Sequence, residues 1–79
     1  MQLHGWTHGV LDPETGAPIG VAKDIDEVPE WGQMGTTHFF ESDGPPQYNW
    51  LKGYDVLPLE QVDAQIRAEI ALTLTFVPA

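Results

Sequence analysis

The chain has 79 residues, with twelve Asp and Glu against three Lys and Arg, a formal charge of −9. It contains no cysteine, which excludes disulfides, thiolate nucleophiles and cysteine-ligated zinc. The surplus of carboxylates argues against direct binding to nucleic acid or to anionic lipid, since both need cations.

Hydrophobic residues still make up 42% of the chain, too many for a disordered acidic tail. The length suits one folded domain, residues 1–79. Met1-Gln2-Leu3-His4-Gly5 has neither a basic start nor an apolar run, and no stretch approaches the roughly 18 apolar residues of a membrane span. A cytosolic protein is therefore expected.

Asp12-Pro13-Glu14-Thr15-Gly16 is a turn signal. Asp suits its first position, Pro pre-sets φ at the second, and Gly accepts the left-handed closure. Val10-Leu11 before it and Ile19-Gly20-Val21 after it predict a β-hairpin. Pro18 implies that the second strand lies at an edge or begins after that residue. Residues 23–35 carry acids, Pro29, Gly32 and Gly35 without clear periodicity, and read as an acidic surface loop anchored by Trp31.

Thr36-Thr37-His38-Phe39-Phe40-Glu41 is β-branched and aromatic, hence a strand. Ser42-Asp43-Gly44-Pro45-Pro46 forces a turn, Tyr48-Asn49-Trp50-Leu51 returns as a strand, and Gly53 ends or bulges it. Pro58 suits the first position of a helix, and Leu59, Val62, Ile66 and Ile70 recur at helical spacing. From Ile66 the alternation through Ala68, Ile70, Leu72, Leu74 and Phe76 fits a strand instead. With the switch placed near Glu69, a helix is expected over 58–68 and a strand over 69–77. The expected fold is α+β: a small antiparallel sheet of four to five strands with one helix packed on one face.

Chemistry-bearing patterns are sparse. His4 and His8 are four apart, but Gly5 and Gly9 disfavour a helix there, and on a strand they would lie about 13 Å apart, too far for one ion. His38 with Glu41 adds no ligand-spacing motif. Ser42 sits in a turn without a nucleophile elbow, and its expected work is a local hydrogen bond. No glycine-rich phosphate motif occurs, and Lys23, Lys52 and Arg67 are too scattered for a basic patch. The expectation is a protein without catalytic residues, metal or cofactor.

The acids carry the functional reading. Asp24, Asp26, Glu27 and Glu30 crowd into seven positions, and Glu41 and Asp43 flank the next turn. Carboxylates gathered in turns would make a negative field that steers the chain onto Lys/Arg-rich clefts. Trp31, beside the acidic run, is the expected apolar anchor, with Tyr48 or Tyr54 as further candidates, whereas Trp6 and Trp50 are expected in the core.

In size, charge and the acidic stretches 24–30 and 41–43, the chain resembles the small acidic inhibitor proteins of phages and mobile elements, in particular anti-CRISPR proteins. That resemblance implies a non-enzymatic protein that mimics nucleic acid and blocks a basic surface of a host protein or ribonucleoprotein complex. The alternative is a phage virion part, such as a capsid decoration or connector protein, with larger and more apolar interfaces. The sequence leaves open whether the chain dimerises; an edge strand near Ile19–Val21 or at the C-terminus could pair with a copy.

Overall fold

A computed structural model describes residues 5–42 and 44–75. They form five strands, a short 3-10 turn and one helix: β1 (His8–Leu11), β2 (Pro18–Val28), β3 (Gly32–Phe39), β4 (Gln47–Trp50), β5 (Asp55–Pro58), the 3-10 turn Leu59–Gln61, and α1 (Ala64–Thr75). The sheet is antiparallel throughout, in the order β4-β3-β2-β1-β5. The expected α+β class, with one helix on one face, is what the chain adopts.

The first hairpin follows its turn chemistry. The Asp12 carbonyl accepts the Gly16 N–H at 2.7 Å, and the Asp12 carboxylate accepts the Glu14 N–H at 2.8 Å. These bonds close the loop, and β1 and β2 pair on either side of it from His8–Ala22 to Leu11–Pro18. Pro18 is the first residue of β2, where its missing N–H costs no ladder bond. β2 itself is the central strand, so Ile19–Val21 lie between β1 and β3 and form no edge, contrary to the dimer expectation.

Only residues 51–54 join the two edge strands, β4 and β5. Five Cα–Cα steps reach about 18 Å at most. In a flat sheet, β4 and β5 would lie about 19 Å apart across four strand spacings. They would also be offset by about 26 Å along β2, because Trp50 is in register with Asp26, through Met34, and Asp55 with Pro18, through Leu11. The sheet therefore curls strongly. The irregularity between Lys23 and Asp26, with Asp24 at φ 52°, bends β2 to allow it.

Curling gives the sheet two cores. On the concave side, Val10, Ala22 and Leu51 are buried with Ile19, Ile25, Phe39 and Val56 packed around them. On the outer side, Val21 meets Leu59, Val62, Ile70 and Leu74 from the C-terminal segment. Gly9 lets the helix approach closely: a Cβ there would lie 3.3 Å from Ile70 Cδ1 and 3.4 Å from Val62 Cγ2.

Three expectations need correction. The acidic run is not a loop over 23–35: β2 continues to Val28, β3 begins at Gly32, and only 29–31 turn. Ile25, at the bend of β2, packs onto the concave core, and the acids beside it occupy solvated positions of a strand. Pro58 ends β5 and caps only the short 3-10 turn Leu59–Gln61; the α-helix begins at Ala64, not at Pro58.

The strand expected over 69–77 is helix as far as Thr75; Phe76 and Val77 lie outside the described residues. Asp63 starts this helix, its carboxylate accepting the Gln65 N–H at 2.9 Å and its carbonyl the Arg67 N–H at 2.8 Å. Ile66, Ile70 and Leu74, four apart, face the sheet, while Ala68 and Leu72 face water.

Candidate functional site

Directly opposite residues in a sheet share a face. The rows Lys23–Thr36–Tyr48 and Asp26–Met34–Trp50 therefore lie on one face of β2, β3 and β4. Val21, two residues before Lys23, is on this same face under the helix. α1 covers the β1–β2 part of it and leaves the β3–β4 part open.

Large aromatic surfaces sit on that open part. Trp31 is 53% exposed, Tyr48 53% and Trp50 46%, values that define a contiguous aromatic patch rather than a core. The Trp31 and Trp50 rings are 5.6 Å apart and tilted by 53°. The Trp50 indole N–H donates to the Trp31 carbonyl, tying β4 to the β2–β3 turn. The Tyr48 hydroxyl donates to the Asp26 carboxylate at 3.1 Å. Desolvation, that hydrogen bond and the Asp26 charge together push the Tyr48 phenol above its usual value. Lys52 holds its ammonium 5.3 Å from the Trp50 ring centre, so the ring face already accepts a cation.

Of the expected site residues, Asp24, Asp26, Glu27, Glu30 and Trp31 are exposed on the β2–β3 hairpin. Asp26 lies on the aromatic face, and Glu27, its neighbour along the strand, pairs with Gln33 and points to the reverse side. Asp24 occupies the bend and Glu30 the turn. Glu41 is exposed but lies beyond the other end of β3, at least about 23 Å along the strand from Gly32. There it joins Asp12 and Glu14, since the Phe40 N–H bonds the Ile19 carbonyl near the start of β2. These seven carboxylates form two groups at opposite ends of β2, while Asp55 lies on β5 and Glu60, Asp63 and Glu69 lie in the C-terminal segment. Asp43 lies outside the described residues.

Lys23 reaches toward the Trp6 ring, its ammonium 5.0 Å from the ring centre. Trp50, expected in the core, is on the surface. Nothing in Gln47-Tyr48-Asn49-Trp50 reveals which of its alternating sets faces out, and here the polar set, Gln47 and Asn49, turns the other way. These two line a shallow cleft of about 180 Å³ with Thr37, His38, Phe39, Ser42, Gly44 and Pro45. That is below the size of an ordinary small-molecule pocket. Ser42 accepts the Gly44 N–H at 3.3 Å, the local bond expected of it.

Two histidines are described. His8 lies 2.7 Å from Thr7 Oγ1, and burial pulls its imidazole below the ordinary value more than the Glu60 charge raises it. His38 is buried between Trp6 and Phe40, with Nε2 lacking a hydrogen-bond partner among the described residues. No group of three or more His, Asp or Glu among the described residues is arranged to hold a metal ion. Among those residues, no helix is long and apolar enough to cross a membrane.

Compared with known protein families, with curated proteins and with solved structures, the chain matches none.

Proposed function

We propose that this chain is a non-enzymatic binding protein that docks on a basic surface of a host complex and occupies it in place of nucleic acid. This is the mode of the small acidic phage inhibitors it resembles in size and charge. One observation supports the reading above the others: exposed Trp31, Trp50 and Tyr48 share a face with the Asp26 carboxylate, and Asp24, Glu27 and Glu30 lie on the same hairpin, Glu27 on its reverse side. Aromatic anchors ringed by charge are what protein interfaces use. The carboxylates supply steering toward Lys and Arg, and the indoles supply apolar area once contact is made. Glu41 sits too far from this face to share one contact with it.

The test is capture from host lysate on immobilised protein at low and high salt, with duplex DNA as competitor. A nucleic-acid-binding partner is expected to be retained, to be released by salt and by DNA, and to be lost when Asp24, Asp26 and Glu27 are changed to Lys. Capture that ignores both salt and the charge reversal removes the proposal. Recovery in many copies with virus particles, insensitive to salt, establishes the virion role instead.

A further inference from the structure

The open edge of β4 carries information that the charge pattern does not. The Leu51 N–H bonds the Gln33 carbonyl at 2.9 Å, which makes Gln33–Leu51 a hydrogen-bonded pair. In an antiparallel ladder such pairs alternate, so Gly35–Asn49 and Thr37–Gln47 are bonded too. Tyr48 and Trp50 then direct their own N–H and C=O groups away from β3. Among the described residues no strand pairs with that side. The two exposed aromatic side chains and the two outward-facing peptide groups belong to the same residues.

Proteins usually blunt an edge strand with a charge, a proline or a bulge. β4, Gln-Tyr-Asn-Trp, has none of these within it, and its register with β3 is regular. β5, the opposite edge, has Asp55 and Pro58 at its two ends. β4 is thus the edge left able to accept a strand. Charge decides what kind. A second copy pairing on β4 would bring together two chains of formal charge −9, which repel one another. A Lys/Arg-bearing strand would meet that charge favourably, and the Trp31 face is open to a guanidinium or ammonium stem as the Trp50 face is to Lys52.

We propose that β4 is a strand-addition site for an extended basic segment of a partner protein. Main-chain bonds to Tyr48 and Trp50 give the register, the aromatic rings hold the alternate side chains, and the acidic field of the chain, with Asp26 on the same face two strands in, favours cations. This rests on the reading of the same face as the docking site for a basic protein, and it specifies the form the partner takes there.

The experiment is amide hydrogen exchange by NMR on the intact protein, with two synthetic probes of matched charge. One is an extended peptide alternating arginine and valine. The other is an arginine peptide made helical by α-aminoisobutyric acid. The extended probe is expected to bind and to slow exchange at the Tyr48 and Trp50 amides by about tenfold or more, with little change at Asn49, already bonded to β3. The helical probe is expected to leave those two amides unchanged. If both probes bind and quench tryptophan fluorescence while the Tyr48 and Trp50 amides exchange as before, strand addition is refuted and the docking face stands. If neither binds, both readings fall. Protection of those amides that rises with protein concentration alone assigns the edge to self-pairing and overturns the proposal.

Discussion

Ile70 and Leu72 are two residues apart, so on a strand they would share a face, and on α1 they point in nearly opposite directions. Ile70 is fully buried against Val21, Val62 and Leu59, whereas Leu72 is 64% exposed. Ile70→Ala removes three carbons, worth about 2.4 kcal/mol of transfer free energy at about 0.8 per methylene. The cavity left between helix and sheet raises the expected cost to about 3–4 kcal/mol. A domain of this size has about 4–12 kcal/mol of stability in all. The variant should therefore lose a large share of it, with a drop in Tm of roughly 15–25 °C. Leu72→Ala should change stability by less than about 0.5 kcal/mol, since its side chain is solvated and alanine favours helix. Urea unfolding followed by circular dichroism, with thermal melts, measures both. Equal losses at the two positions would refute the helical account of 64–75 and restore the alternating strand.

Two further outcomes follow from single groups. Asp63→Ala removes the acceptor of the Gln65 N–H and should cost about 1 kcal/mol in urea unfolding, with Asp63→Asn costing less. His8 binds its proton less readily folded than unfolded, where the imidazole titrates near its ordinary value of 6.5. As pH falls below that value the unfolded chain takes up the proton first, so stability falls with pH until the folded imidazole is protonated as well. The loss should be visible as a fall in urea midpoint below pH 6.5 and smaller in His8→Gln.

The legible parts of the sequence were those where one local rule acts alone. Asp12 to Gly16 specify their turn through backbone geometry, and the β-branched and aromatic run before Glu41 specifies β3. Solvation defeated pattern reading elsewhere. Asp24, Asp26 and Glu27 lie in a strand whose outward positions are acidic and whose bend at Asp24 breaks the period of two. Ile66, Ile70 and Leu74 fit both a helix and an alternating strand, because every second member of a period-two series is also four apart. Asp63, whose carboxylate caps the helix, decides between them. β5 is four residues long and ends in a proline equally suited to opening a helix. The acidic run and Trp31 were recognisable as surface features, but the place of Trp50 beside Trp31 depends on the register of β4 on β3 and on which edge the curled sheet leaves open. Those are tertiary facts without a local signal.

The face formed by Trp31, Tyr48, Trp50 and the neighbouring acids is most directly tested by two charge reversals of equal size at opposite ends of β2. One changes Asp24, Asp26 and Glu27 to Lys; the other changes Asp12, Glu14 and Glu41 to Lys. Association rates with the captured basic partner, measured at low salt by surface plasmon resonance, should fall by about ten- to a thousandfold for the first set, with far smaller losses for the second. Equal losses from the two sets would mean that only net charge matters and that this hairpin is no docking face.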